Sequence, residues 1–258
     1  MALQIHNPHS VLAALQTRPQ DVTEIILPAG NNTQFADGDA WNRVAELARQ
    51  KKVPIQSANR GGGGKNAGPN ARGRGGETDG RTSSAYASVR ERQGISLEEL
   101  FKNAKSRTNG KGLWLALDSL QDPHNVGAIF RASGFFGVEG IIITAERSAP
   151  LTSTVYDVSC GGVEYVPFTL QTNLQRAFEV AKDAGLWILG TSEHANDNLS
   201  GISKDRPWLV VLGNEEKGMR RLTEESCDLL CKIPAAGQVT SLNVSVAAGI
   251  LISTLSSK

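Results

Sequence analysis

The alternation of hydrophobic and polar positions divides the chain into a short first region and a long, regular second one. From Gly112 onward, short apolar runs alternate with segments whose apolar residues recur at helical spacing. The runs predict strands, and the spacing predicts helices, as follows: strands Leu113–Leu117, Gly140–Thr144, Val166–Leu170, Leu186–Gly190, Leu209–Gly213 and Leu230–Ile233; helices Val126–Phe136, Asn173–Ala184 and Val244–Ser256. Strands that are apolar throughout are typical of a parallel sheet covered by helices on both faces. We therefore predict an α/β fold whose ligands bind beyond the carboxyl ends of the strands.

The region before this sheet predicts a small α/β unit and a linker. Residues 1–58 carry two helical patterns, at His9–Leu15 and Trp41–Lys51, and two short strand-like runs, at Val22–Pro28 and Val53–Ile55. Residues 59–84 are rich in Gly, Asn and Arg and nearly lack large apolar side chains, so we expect a flexible linker there. A second domain is then expected at residues 85–258.

Charge along the chain points to a polyanionic partner. The formal net charge is only +1, yet Lys51 to Lys111 holds 13 Lys or Arg against 5 Asp or Glu. Such a basic segment suggests a polyanionic partner, although solvated linkers are often basic without binding anything, and both interpretations stay open.

Composition narrows the class of protein. A hydrophobic share of 40% suits a globular protein with a core. The amino terminus carries no signal-peptide pattern and no window approaches 18 apolar residues, so we predict a cytoplasmic protein without a membrane partner. Cys227 and Cys231 have no second pair and no nearby His; with Cys160 they are expected to be buried free thiols, and no metal site is predicted.

The first candidate motif follows the strand Leu113–Leu117 and contains Asn125 and Arg131. The two residues are six positions apart, so both can face the crevice only if the helix begins at or after Asn125. An arginine here could be an exposed side chain covering apolar surface, or it could present its planar fork to a phosphate or ribose.

The second candidate motif is the loop after the strand Leu209–Gly213, with Gly213, Glu215 and Gly218. Glycines at a strand end let a ligand approach the backbone closely. The dinucleotide fingerprint GxGxxG and the phosphate loop GxxxxGK[ST] are both absent, which counts against a dehydrogenase or an NTPase of the usual kinds.

The third candidate motif is Ile233–Leu255, where Ser241 and Asn243 stand at the point where a loop becomes a helix. Apolar positions then recur at Val244, Ala247, Leu251 and Leu255. The polar pair fits the N-cap of a core helix, and it equally fits a site for a polar ligand at a helix N-terminus.

Taken in order, the motifs N-x5-R (Asn125, Arg131), G-x-E-x-x-G (Gly213 to Gly218) and I-P-x6-S-L-N-V-S-x-A (Ile233 to Ala247) resemble the SpoU/TrmH family of RNA ribose methyltransferases. The resemblance spans residues 112–258. Residues 1–58 are similar to the ribosomal-protein-like substrate-binding domain of the longer members, which act on large-subunit ribosomal RNA. The family's His-Gln-Gly after the linker is replaced by Thr82-Ser83-Ser84, which leaves the RNA target open.

This resemblance implies a deep trefoil knot, a homodimer, S-adenosylmethionine as cofactor and methylation of a ribose 2'-hydroxyl, on a guanosine of 23S ribosomal RNA. Transfer RNA, or a non-catalytic role in RNA binding or ribosome assembly, is the alternative. The resemblance assigns functional positions to Asn125, Arg131, Glu215, Ser241 and Asn243 and cofactor contacts to Gly213, Ile233, Leu242, Leu212 and Ala235. Arg131 matches the catalytic arginine, acting either as a base activated by phosphate or as a group that orients the 2'-oxygen.

Overall fold

The computed structural model describes residues 2–28, 40–58, 85–146, 148–214 and 217–256. The chain divides into two compact units, Met1–Arg90 and Glu91–Lys258. The predicted linker at 59–84 and the candidate Glu215 lie outside the described residues. The predicted second domain begins at residue 85, whereas the strand Tyr86–Arg90 pairs within the sheet of the first unit. The division therefore falls after Arg90.

The first unit is a four-stranded sheet with two helices. Its strands are β1 (Ala2–Ile5), β2 (Val22–Leu27), β3 (Ile55–Ser57) and β4 (Tyr86–Arg90), in the spatial order β1-β4-β2-β3, and its helices are α1 (Pro8–Thr17) and α2 (Ala40–Gln50). Helix α1 begins where Asn7 Oδ1 accepts a hydrogen bond from His9 N at 2.9 Å. The strand pairs β1–β4 and β2–β4 are antiparallel, and β2–β3 is parallel.

The second unit is a seven-stranded sheet in the spatial order β7-β6-β5-β10-β8-β11-β9. All of its paired strands are parallel, as predicted. The strands are β5 (Leu113–Leu117), β6 (Gly140–Thr144), β7 (Phe168–Gln171), β8 (Trp187–Thr191), β9 (Asp197–Asn198), β10 (Trp208–Leu212) and β11 (Leu229–Lys232). The helices are α3 (Leu97–Leu100), α4 (Ala104–Arg107), α5 (Pro123–Phe136), α6 (Ser153–Ser159), α7 (Gly162–Tyr165), α8 (Gln175–Asp183), α9 (Arg221–Glu225) and α10 (Val244–Leu255).

Helices cover the sheet on both faces because its central strands carry apolar side chains on both sides. Every residue of β5, β6 and β10 is buried. Alternate side chains such as Trp114 and Val211 form one core with α3 and α8. Helix α5 packs against α6, α7 and α10. Among the described residues, no helix is both long and apolar enough to cross a membrane.

Candidate functional site

The segment that follows β5 ties together the carboxyl ends of three neighbouring strands. Asp118 N donates to the carbonyl oxygen of Leu212, the last residue of β10, at 2.8 Å. The next amide, Ser119 N, donates to Thr144 Oγ1 at the end of β6, at 2.9 Å. Ser119 adopts a left-handed conformation with φ 64°, which turns the chain away from the sheet. The edge at which ligands of parallel sheets bind is therefore fixed by hydrogen bonds.

A buried carboxylate forms the centre of this edge. The Asp118 side chain is 0% exposed, and its Oδ1 lies 2.7 Å from a guanidinium nitrogen of Arg220. Its Oδ2 accepts from Thr223 Oγ1 at 2.8 Å and from Arg220 N at 3.3 Å. These partners compensate the loss of hydration of the charge and hold the segment after Gly218 against β5. This cluster was not predicted from the sequence. The feature of the sequence that could have indicated it is an acidic residue directly after an all-apolar strand.

The loop after β10 closes on itself at Gly213. A Cβ at Gly213 would overlap the backbone of Gly218 and Met219, so this position requires glycine. Asn214 and Gly218 exchange backbone hydrogen bonds of 2.9 Å, and Asn214 Nδ2 donates to the carbonyl oxygen of Ser119 at 3.0 Å. Leu212 is buried at the strand end, whereas Gly213 is partly exposed. Gly213 therefore offers backbone, and no side chain, to a ligand.

Helix α5 positions Asn125 and Arg131 differently from the geometry that would bring both into the crevice. The helix begins at Pro123, capped by Asp122 Oδ1, which accepts from His124 N at 2.9 Å. It thus begins before Asn125, and six residues at helical pitch separate the two side chains by about 120° around the axis. Asn125 is buried and Arg131 is exposed. Both side chains could face the crevice only if the helix began at or after Asn125. It begins two residues earlier, because Asp122 caps it and Pro123 occupies its first position.

One hydrogen bond joins the first and third motifs. Asn243 Nδ2 donates to Asn125 Oδ1 at 2.9 Å, across 118 residues of sequence. The Oδ1 of the same Asn243 accepts from Ser245 N at 2.8 Å and caps α10, which confirms the N-cap interpretation. A single amide therefore both starts the last helix and fixes it to α5.

The remaining candidates lie along the loop between β11 and α10. Ile233 is partly exposed, and Ala235, Ser241 and Leu242 are exposed. The contacts of the described residues link neither Ser241 nor Arg131 to another candidate side chain.

The buried side of α10 differs from the predicted stripe. The residues that are buried are Ala248, Leu251, Ile252 and Leu255. Val244 and Ala247 were predicted on this stripe but are only partly buried, because the helix turns its first-turn apolar residues away from the core.

Burial keeps two of the three thiols protonated near neutral pH. It raises the pKa of Cys227 to about 12, with a further contribution from the carboxylates of Asp228 and Glu224. Burial, together with Asp197, raises the pKa of Cys231 to about 11. All three cysteines are free; Cys231 is buried, and Cys160 and Cys227 are partly so. Protonated thiols are weak nucleophiles, so Cys227 and Cys231 do not suit covalent catalysis.

Taken together, the carboxyl edge presents backbone groups, amides and an arginine-bearing helix. Such groups suit the binding and orientation of a polar substrate. Within the described ranges, no group of His, Cys, Asp and Glu is placed to hold a metal ion.

Known proteins resemble this chain in sequence and in fold. The family model for the SpoU rRNA Methylase family matches residues 112–253. The 23S rRNA (guanosine-2'-O-)-methyltransferase RlmB of Pseudomonas putida is 35% identical over 252 residues, which cover 96% of this chain and 94% of that protein. The RlmB of Pseudomonas aeruginosa is 43% identical over 155 residues, which cover 60% of this chain. The chain spans less than two thirds of the length of several curated relatives, and it spans 62% of the P. aeruginosa protein.

A solved structure shares the fold over nearly the whole chain. The AdoMet-bound rRNA methyltransferase from Sinorhizobium meliloti superposes with a TM-score of 0.72 at 19% sequence identity. The match covers 98% of this chain and 86% of that one.

Proposed function

This chain belongs to the SpoU rRNA methylase family, and on that premise we propose that it methylates a ribose 2'-hydroxyl in RNA, on a guanosine of 23S ribosomal RNA. The observation that carries the proposal is the 2.9 Å hydrogen bond between Asn243 and Asn125, which joins two of the family's three motifs. The substrate is taken from the P. putida relative, whose name specifies 23S rRNA guanosine and whose length the chain spans almost completely.

The proposed cofactor is S-adenosylmethionine, which when bound supplies an electrophilic methyl group. Leu212 and Gly213 would present backbone at the end of β10, where the closed loop leaves no room for a side chain at Gly213. Ile233, Ala235 and Leu242 would complete the site from the loop before α10. Leu242 leaves 51% of its surface exposed, which suits contact with the flat apolar face of an adenine.

In the proposed mechanism, Arg131 orients the 2'-oxygen and stabilises the negative charge that develops on it. A guanidinium keeps its proton at every pH of interest, so donation of a hydrogen bond is its ordinary chemistry. The exposure of Arg131 allows solvent to take the hydroxyl proton. Asn125 and Asn243 position α5 and α10, while Ser241 and Glu215 are proposed to contact the substrate.

We propose a trefoil knot in the second unit. Strand β10 lies between β5 and β8 although β8 precedes it in sequence, and β11 lies on the far side of β8. After β11 the chain returns to pack α10 against α5, the helix that follows β5. This path takes the end of the chain back past strands that come earlier in the sequence. It therefore supports the proposal that the chain end is threaded through the fold.

A second copy of the chain is the proposed partner of the α5–α10 surface. Phe135 on α5 is 81% exposed, and Val246 and Ile250 on α10 are 51% and 37% exposed. Large apolar side chains clustered on adjoining helices mark an interaction surface. Because Arg131 lies on α5 as well, a homodimer through this surface would bring the second copy close to the catalytic arginine.

The first unit is proposed to bind the RNA substrate, and the cytoplasmic location predicted from the sequence remains part of the proposal. The same fold could instead serve transfer RNA, or RNA binding without catalysis. The Asn125–Asn243 bond favours catalysis, because a protein that only binds RNA has no need to hold the two motifs together.

Two measurements test the proposed function. Calorimetry with S-adenosylmethionine should show saturable binding to the purified chain. Mapping of 2'-O-methyl groups in a strain that lacks the protein should show the loss of one modified guanosine in 23S ribosomal RNA. Loss of a methyl group from transfer RNA alone would transfer the assignment to that substrate, and absence of cofactor binding would favour the non-catalytic role.

A further inference from the structure

The amino edge of the seven-stranded sheet carries an exposed tryptophan. Strands β5, β8 and β10 are paired in register there, with Trp208 opposite both Leu113 and Trp187. Trp187 is 43% exposed, whereas the other three tryptophans, Trp41, Trp114 and Trp208, are buried. A tryptophan side chain with this much solvent exposure on a folded surface is a candidate contact for a ligand.

The indole of Trp187 is held in place from two sides. The Arg206 guanidinium lies 4.5 Å from the centroid of the Trp187 ring and 5.9 Å from that of Trp208. The rings of Trp187 and Trp208 meet edge to face with centroids 6.4 Å apart. Trp208 is anchored in turn, because its Nε1 donates to the carbonyl oxygen of Ser203 at 2.8 Å. The exposed ring is therefore preorganised for stacking.

Three lysines lie near the starts of β8 and β10. Lys105 lies against Gly185, two residues before β8, where a Cβ would overlap its side chain. Lys111 precedes Gly112, whose carbonyl oxygen accepts from Trp208 N at 2.9 Å. Lys204 is also exposed, between Ser203 and the start of β10. The ion pairs described for this edge involve Arg206 with Asp205 and Arg107 with Glu139; none is described for the three lysines.

We propose that this surface, defined as Trp187, Arg206, Lys105, Lys111 and Lys204 and named the tryptophan patch, binds single-stranded RNA. A base stacks on the face of Trp187 that Arg206 leaves open, and the lysines contact the flanking phosphates. A preorganised aromatic ring within a cationic surface is the arrangement by which proteins bind single strands without reading their sequence. Arg206 is paired with Asp205, whereas no acidic partner is described for the three lysines, and unpaired cations favour a polyanion over a protein surface of mixed charge.

The tryptophan patch is separate from the proposed catalytic edge. The two lie at opposite ends of five-residue strands, which are about 17 Å long. A base stacked on Trp187 therefore belongs to a nucleotide other than the one that is methylated. The inference rests on the proposed function in that RNA is the substrate, and it adds a second contact, which acts on RNA affinity and leaves the chemical step unchanged.

Fluorescence distinguishes stacking on Trp187 from other RNA contacts. Because the other three tryptophans are buried, a labelled or unlabelled oligouridine should quench mainly the emission of Trp187. Binding is measured in parallel by the anisotropy of a fluorescein-labelled oligouridine. Trp187→Ala should weaken binding about tenfold. Trp187→Phe should keep most of the affinity and lose the quenching. Arg176→Ala, which removes an exposed arginine paired with Glu98 outside the patch, should leave oligouridine binding near that of the parent and is the control for the loss of a surface charge elsewhere.

Steady-state kinetics separate this inference from the proposed function. With ribosomal RNA as substrate, Trp187→Ala should raise KM about tenfold with kcat unchanged, while the affinity for S-adenosylmethionine reports that the variant is folded. Wild-type RNA affinity in Trp187→Ala, or no binding of oligouridine by the parent chain, would overturn the tryptophan patch. A parent chain that fails to transfer methyl groups, but whose RNA affinity still depends on Trp187, would overturn the proposed function and leave the patch standing.

Discussion

The two edges of one parallel sheet differ in how their polar groups are used. At the carboxyl edge, Asp118 is completely buried and Asn125 is bonded to Asn243, so these side chains have partners within the protein and are fixed in place. At the amino edge, Trp187 and its neighbouring lysines face solvent. The proposed function and the proposed tryptophan patch together imply that one sheet separates chemistry, which needs fixed geometry, from RNA contact, which needs exposed surface. Variants at the first edge should change kcat or stability, and variants at the second should change KM.

The largest effect is expected at Arg131. Removal of the guanidinium in Arg131→Ala should lower the rate of methyl transfer by about 100- to 1,000-fold, the range found when one charge-stabilising donor is lost. The affinity for S-adenosylmethionine, measured by calorimetry, should stay near that of the parent because the side chain is exposed and outside the proposed cofactor contacts. Arg176→Ala is the control, and ordinary turnover by Arg131→Ala would remove the arginine from the mechanism.

The next largest effect is expected when Asp118 is replaced, and it is an effect on stability. Asp118→Ala leaves the Arg220 and Thr223 donors without their acceptor, so the free energy of unfolding should fall by about 3 kcal/mol. Urea denaturation followed by circular dichroism measures this. Glu98→Gln, which breaks an exposed pair with Arg176, should lower the free energy of unfolding much less, because water screens a surface pair. Equal losses for the two variants would contradict the distinction between a buried and a surface pair.

Asn243 can be divided into its two roles by a pair of substitutions. Asn243→Asp keeps an acceptor for Ser245 N but loses the amide donor to Asn125, so it isolates the bond between the motifs. Asn243→Ala loses both and should cost about 1 kcal/mol more in stability through the missing cap. Both variants should lower kcat. A fully active Asn243→Asp would show that the bond between the motifs is dispensable for the reaction.

The smallest expected effect is a fall in the free energy of unfolding as the pH becomes alkaline. The folded pKa of Cys227 is about 12, raised from 9.0, so its contribution to stability is fully present below about pH 9. As the pH rises toward 12, the unfolded chain releases this proton first and the free energy of unfolding falls. Denaturant midpoints measured between pH 8 and 11 should fall less steeply in Cys227→Ala than in the parent. Parallel slopes in the two proteins would contradict a buried, protonated thiol.

The sequence predicted those parts of the fold that depend on local pattern. Strands β5 and β6 match the predicted bounds because each is an apolar run limited by polar or glycine residues. Strand β1 and the short helices α6, α7 and α9 were not predicted, because four to seven residues carry too little periodicity. The end of the first unit was placed before β4, whose pairing partners lie 60 or more residues earlier in the chain.

Motif order singled out Asn125 and Asn243, which the fold brings together, but it did not indicate the contacts around them. The importance of Asp118 depends on Arg220, 102 residues later, and no local pattern reveals that pairing. The exposure of Trp187 likewise depends on tertiary structure, since tryptophans at the starts of β8 and β10 look alike in sequence, yet only Trp208 is covered. Sequence reasoning finds residues that share a motif and misses those that meet only in the fold.

The central claim is that the methyl group is attached to a ribose 2'-oxygen of 23S ribosomal RNA. The most direct measurement incubates the purified chain with unmodified 23S RNA and S-adenosylmethionine labelled in its methyl group, followed by alkaline digestion. A 2'-O-methyl group removes the hydroxyl that alkali needs to cleave the adjoining phosphodiester. We therefore expect the label in one alkali-resistant dinucleotide that contains guanosine. Label recovered in mononucleotides, as a base modification would give, or no label in 23S RNA, would contradict it.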